Sequence, residues 1–209
     1  MLRRLALAAV LAAVLPMHAA CAQSLAAQPR GVYARINMAA PAEMIQRLRA
    51  TYGTDKRLAI REVQGRPTAY MPPVLYALAN ALAEDHPEEA IFWYHVGRLR
   101  AVYDALRCRD KSAQAGLLAL RKQLGATLIQ AQAYRRERLV GIARKAVEWD
   151  ASNSRSYDER WISLYSKVAA ESDGSGSEDI FVPEAEWPAI LKRVHEAHLK
   201  SVQEFAAQK

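Results

Sequence analysis

Pro72-Pro73-Val74-Leu75-Tyr76-Ala77-Leu78-Ala79-Asn80-Ala81-Leu82, followed through Ala83-Glu84-Asp85-His86 by Pro87-Glu88-Glu89-Ala90-Ile91-Phe92-Trp93-Tyr94-His95-Val96-Gly97, reads as two helices joined by a tight turn. Proline is tolerated in the first helical turn, where its missing N–H would have no partner anyway, so Pro72/Pro73 and Pro87 each mark a start. Leu75, Leu78 and Leu82 recur at spacings of three and four, the repeat of one helix face. Asp85 and Glu88 have the spacing of a capping box at the second start. That helix is expected to run to about Cys108 with Phe92, Val96, Leu99, Tyr103 and Leu106 on one stripe, and Gly97 lets another helix approach closely.

Outward from this hairpin the signals remain helical. Pro41 opens a short helix to about Arg49 with Met44, Ile45 and Leu48 on one side. Residues 51–71 read mostly as loop, with a short strand conceivable at Leu58–Val63 before Gly65 and Pro67 interrupt it. Asp110 is placed to cap a helix carrying Leu117, Leu118, Leu120 and Leu124 and ending on Gly125. A further helical stretch covers Ala126–Asp150 with a bend near Tyr134–Glu137, another covers Ser156–Ala170, and Pro183–Phe205 closes the chain. The Gly/Ser/acidic segment 171–179 has nothing apolar to hold it and is expected to be a flexible loop. The fold class expected is therefore all-α, an irregular helical bundle or short stack of helical hairpins, forming a single domain over residues 39–209.

Leu78-Ala79-Asn80-Ala81-Leu82, then Glu88-Glu89-Ala90-Ile91, Trp93-Tyr94 and Gly97, resembles one helical hairpin of the tetratricopeptide or Sel1-like repeat families. A fainter echo is Leu139, Ala143 and Ala146-Val147-Glu148-Trp149-Asp150 with Ser152-Asn153 after it. The resemblance covers about 60 residues, its two copies are irregularly spaced and no third follows. It implies tightly packed helix pairs that present a groove to a protein partner. Asn80 falls where some members hold a partner's terminal carboxylate, although the lysine that accompanies it four residues earlier is Tyr76 here.

The N-terminus has the layout of a secretory signal peptide: Arg3 and Arg4, an apolar run Leu5–Leu15, Pro16, and small residues at Ala20-Cys21-Ala22. The run is shorter than the roughly 20 residues that span a bilayer. Cleavage after Ala22 gives a soluble periplasmic protein; the alternative is lipidation of Cys21 and anchoring as a lipoprotein. Residues 23–38, rich in alanine with Pro29 and Gly31, read as a poorly ordered lead-in. Without residues 1–22 the chain has 187 residues, with 27 basic against 22 acidic, a net charge of +5. That charge is either an ordinary solvated surface or one suited to an anionic partner such as phospholipid headgroups or an acidic protein, and export argues against nucleic acid. No later segment is long and apolar enough to span a membrane. Cys108 is then the sole cysteine, so no internal disulfide forms and the core must supply stability.

Residues capable of chemistry are scattered. His195-Glu196-Ala197-His198 puts two imidazoles on one helix, which suits either a solvated face or two ligands of a metal still lacking a third; it is not the His-Glu-x-x-His pattern of zinc proteases. Cys108 lies between Arg107 and Arg109, whose charges favour a thiolate, or it is simply packed. His95 reads as a core-edge side chain. Arg135, Arg136, Arg138, Arg144 and Lys145 form a basic ridge, open to an anionic partner or solvated beside Glu137 and Glu148. There is no nucleophile elbow, phosphate-cradling glycine loop or zinc-binding cysteine set, and no cofactor or metal is expected. The reading is an exported, non-catalytic binding or adaptor protein, immunity-like in one form, that contacts a protein partner through Tyr76, Asn80, Trp93, Tyr94, Arg98 and Arg138. The alternative is a cell-envelope hydrolase or redox enzyme using Cys108 or the His195/His198 pair.

Overall fold

A computed structural model describes residues 30–171 and 179–208. The signal peptide, its cleavage site, Cys21, the beginning of the lead-in and nearly all of the 171–179 loop lie outside the described residues. Within them the protein is all-α, an irregular bundle. Its helices are α1 (Ala39–Arg49), α2 (Thr54–Gly65), α3 (Pro72–Leu82), α4 (Pro87–Arg107), α5 (Ala115–Arg121), α6 (Ala126–Tyr134), α7 (Arg136–Ser152), α8 (Lys167–Glu171) and α9 (Trp187–Ala207), with short 3-10 turns between several of them. The one extended pairing among the described residues is an isolated antiparallel bridge between Cys108 and Phe181. No helix among them is long and apolar enough to cross a membrane.

The bundle is built around α4. It packs on α3, α7, α9 and α6, so it is buried on nearly all sides. Close packing against α3 depends on Gly97: a Cβ there would lie 3.0 Å from a Tyr76 ring carbon and 3.2 Å from Leu75 Cβ. Ridges of Leu75, Leu78, Ile91, Val96 and Leu99 are fully removed from water, each worth roughly 1.5–3 kcal/mol of transfer free energy. α9 lies across α7 and α4 and contributes Ile190, Val194, His198 and Val202 to the core.

Several local expectations change. Residues 54–65 are not loop or strand but helix α2, whose start follows Gly53 at φ +119°, a conformation that favours glycine. The lead-in expected to be poorly ordered through Met38 is folded from Gly31: a 3-10 turn (Gly31–Arg35) puts Tyr33 and Ile36 in the core. The residue before α4 is His86, with no side-chain cap, so Asp85 and Glu88 form no capping box. Asp110 does cap, accepting from Ser112 N at 2.9 Å, but it starts a 3-10 turn (Lys111–Gln114) ahead of α5. Gly125 does not end a helix in the left-handed conformation; at φ −72° it precedes α6. Residues 159–165 are a 3-10 helix rather than an α-helix, placing Trp161 and Ile162 in the core.

Candidate functional site: the two faces of helix α4

Successive residues of an α-helix are about 100° apart, so Tyr94, His95, Arg98, Leu99, Val102 and Leu106 share one side of α4 while Trp93, Arg100, Asp104 and Arg107 share the other. The first side opens onto a cleft. Tyr76 from α3, Tyr94, His95 and Arg98 from α4, Arg121 from α5, Gln132 from α6 and Phe205 from α9 line a cavity of about 410 Å³. A second groove of about 270 Å³ continues between α4 and α9, with apolar walls of Leu99, Val102, Leu106, Val194 and Ala197 and with Arg193 at its edge. Arg98, His198 and Ser201 belong to both.

Arg98 is half-buried and makes no hydrogen bond or ion pair with the described residues; Arg121 and Arg193 are exposed and likewise make none with them. No Asp or Glu is among the described residues lining either groove. Between α4 and α9, His95 Nδ1 and His198 Nε2 share a hydrogen bond of 3.1 Å, with the rings edge to face. His95 is 3% exposed and its Nε2 has no partner. Burial first, then the neighbouring His198 and Arg98 charges, drives the His95 pKa well below its ordinary value. Burial, Arg98 and His195 lower that of His198 to about 4. Both imidazoles are therefore neutral at neutral pH. Tyr76, buried against Gly97, has its hydroxyl pKa pushed up by burial and meets the Tyr94 ring edge to face at 5.5 Å.

The opposite face of α4 carries a buried charged network. Arg100 donates through Nε to Asp150 Oδ1 (3.0 Å) and through Nη2 to the Asn153 carbonyl (3.0 Å). Asp150 also accepts from Arg155 (3.1 Å) and meets His195 Nε2 at 2.9 Å. Burial alone would raise the Asp150 pKa, but the His195 hydrogen bond and the Arg155 and Arg100 charges outweigh it and hold the carboxyl below its ordinary value. Asp104 accepts from Arg107 (2.9 Å), the Tyr157 hydroxyl (2.9 Å) and Trp161 Nε1 (2.8 Å). Burial still pushes its pKa up to about 6, against the pull of Arg107. Arg107 is also paired with Glu159 and stacked among Tyr103, Phe181 and Trp187, with ring centroids 4.2, 4.8 and 4.5 Å from its guanidinium carbon. Every charge here has a partner inside the fold, and no cavity among those described reaches Asp104 or Arg107.

Of the residues singled out from sequence, Tyr76, Tyr94 and Arg98 meet in the cleft. Asn80 stands beside it with both ends of its amide engaged: Nδ2 donates to the Gln123 carbonyl (2.8 Å) and Oδ1 accepts from Gly125 N (2.9 Å). It thereby holds the α5–α6 connection that carries Leu124 into the cleft wall. Trp93 points away, buried against Trp149 (5.5 Å) with Nε1 donating to Glu89 (3.2 Å). Arg138 is exposed and ion-paired with Glu88, and Arg136 lies over the Phe205 ring. Two residues of the basic ridge, Arg136 and Arg138, thus find partners other than the Glu137 and Glu148 expected.

His195 and His198 do not converge, because one binds Asp150 and the other His95. No group of three or more His, Cys, Asp or Glu side chains among the described residues is placed to hold a metal ion. Cys108 is 1% exposed, with its thiol donating to the Asp104 carbonyl. Burial, reinforced by the Asp104 charge, pushes the thiol up to about 12; the opposing Arg107 and Lys111 charges are outweighed. Arg121, Gln132, Phe205 and the His95/His198 pair were not singled out together from sequence, since they come from four helices. The Arg100, Asp104, Arg107 spacing on an otherwise apolar helix was a readable sign of a buried charged face. No protein family, curated protein or solved structure matches the chain.

Proposed function

We propose that this chain is an exported, non-catalytic binding protein of the periplasm, an adaptor or an immunity-type neutraliser, that receives a protein partner in the cleft between α4, α6 and α9. The observation that carries this reading is Arg98: a half-buried cation without a partner among the described residues, at the joint of two grooves, beside aromatic side chains. A charge partly removed from water ordinarily has a counter-charge, and arginine and tyrosine in concave sites are the side chains that most often concentrate binding energy. The leader-like N-terminus supports export, and the repeat-like hairpin supports a scaffold rather than a catalyst. The enzyme alternative draws no support from Cys108, buried and protonated, or from two histidines committed to different partners.

Two experiments test the reading. Intact mass of the periplasmic protein should correspond to a chain beginning at Gln23; a diacylated chain beginning at Cys21 in the membrane fraction contradicts soluble export. The mature protein used as bait in native envelope extract should retain a partner that is lost when Ser201→Trp fills the joint between the grooves. Equal retention by a Ser201→Trp protein that melts at the wild-type temperature contradicts the cleft as the binding site.

A further inference from the structure

Three arginines border the two grooves, no described lining residue is acidic, and the grooves meet at Arg98 with an aromatic-lined cavity on one side and an aliphatic one on the other. We infer that the partner docks through one acidic side chain bracketed by two apolar ones: the carboxylate against Arg98, one anchor in the cleft beside Tyr94 and Phe205, the other between Val102 and Val194. This rests on the binding-protein reading above and names the chemistry of the segment bound.

Charge selects the central group. Elsewhere in the fold, buried and half-buried arginines meet acids, as Arg47 meets Asp55 and Glu62, Arg100 meets Asp150, and Arg107 meets Asp104 and Glu159. Arg98 is half-buried and has none among the described residues, so a carboxylate brought by the partner supplies the counter-charge and gains a charge-assisted hydrogen bond. Arg121 and Arg193 lie one to each groove and add to the attraction. His95 lines the cleft, is 3% exposed and has a buried Nε2 without a hydrogen-bond partner among the described residues, but single nitrogens of Arg100, Arg107 and Arg155 on the closed face share that state, so the lack of an acid at Arg98 is what marks the open face. Size selects the flanking groups. The α4–α9 groove, about 270 Å³, falls just below the roughly 300–1,000 Å³ of small-molecule pockets, which suits the anchor side chain of a larger partner. Its walls are aliphatic, so the anchor it takes is aliphatic. The cleft, with Tyr76, Tyr94 and Phe205, is the wider of the two and suits an aromatic.

The test uses the mature protein on an array of acetylated, amidated nonapeptides. Each carries a central glutamate with aliphatic and aromatic residues at varied positions two to four places on either side; a matched array has glutamine at the centre. The expected result is retention on a subset of the glutamate peptides, at least tenfold weaker on their glutamine counterparts. Arg98→Gln should lose that preference, whereas Arg61→Gln, an equal charge change on an exposed residue of α2, should keep it. Retention on no member, or equal retention on both arrays, overturns the inference. So does displacement of bound peptide by an equal concentration of decanoate, which would assign the grooves to a small amphiphile. A partner captured from the envelope as well by Arg98→Gln as by wild type, yet lost with Ser201→Trp, would remove the acidic contact and leave the binding-protein reading standing.

Discussion

Arg98 and Arg100 leave α4 two residues apart and enter opposite environments. Arg100 is wholly buried, held by Asp150 and the Asn153 carbonyl and covered by the Trp149 ring at 4.8 Å. Arg98 reaches a cleft and meets no acid among the described residues. The same residue type, on the same helix, thus serves the fold on one side and stands open to a ligand on the other. Burial alone does not distinguish them, since His95 on the open side is as inaccessible as Asp150 on the closed side. What separates the two faces is whether the cations meet acids among the described residues: the closed face draws acids from α4, α7 and the segment leading to Trp161, and the open face keeps a surplus of cations.

The sharpest way to break this contrast is to remove one partner on the closed face. Asp104→Ala leaves Arg107 with Glu159 alone and strips the acceptor from Tyr157 and Trp161. Deleting one member of a buried ion pair costs about 3–5 kcal/mol, to be read from urea denaturation. A loss under about 1 kcal/mol would mean that the closed face is not what holds the fold. Trp93→Ala, on the same side against Trp149, should cost about 3 kcal/mol by leaving a cavity, with any loss of binding following the loss of folded protein. Binding lost at full stability would instead place Trp93 in the partner site.

Acid sets the two faces against each other. His198 has a folded pKa of about 4, below its ordinary 6.5, so the unfolded chain takes up more protons in that window and stability falls as pH drops from 6.5 to 4, by on the order of 3 kcal/mol. His95, buried beside it and facing the same Arg98, acts in the same direction. Asp104 does the opposite: its folded pKa of about 6 exceeds its ordinary 3.8, the folded chain takes up the proton, and stability rises as pH drops from 6 to 3.8. His198→Gln should therefore gain stability relative to wild type as pH falls through that range, measured by paired denaturation curves. Parallel curves for the two proteins would show that the histidine pair carries no such penalty. A smaller effect is expected at the boundary of the closed face, where Cys108 should resist thiol reagents in the folded protein and react only as fast as the chain opens. Rapid labelling without unfolding would reopen a reactive role for it.

How legible was this in the sequence? The α3–α4 hairpin was, because Pro72, Pro73 and Pro87 mark its starts and the leucine spacing and Gly97 mark its packing faces. Helix α2 was not: it buries little beyond Ala59 and Val63, so its apolar stripe is too narrow to announce a helix, and Gly65 and Pro67 close behind suggest a loop. In the cleft, Tyr94 and Arg98 are one turn apart on one helix and were readable as a pair. Asn80 was read as a contact for a partner, yet its amide goes to a loop 43 to 45 residues further along, a pairing that no local pattern encodes. The histidines fail for the same reason: His195 and His198 were read as a solvated face or two metal ligands, but His198 is buried against His95, 103 residues away, and His195 is half-buried on Asp150. Cys108 was read either as packed or as a thiol acidified by its sequence neighbours; it is packed, and burial raises its pKa.

The most direct test of the contrast is one substitution with two readouts. Arg98→Gln changes a side chain that supports nothing in the fold, so thermal unfolding should match wild type, within about 0.5 kcal/mol. The same protein, used as bait in native envelope extract, should capture at most a tenth of the partner that wild type captures. Capture at the wild-type level by an unchanged fold, or a large loss of stability on removing Arg98, would contradict the claim that the open face of α4 is where this protein binds.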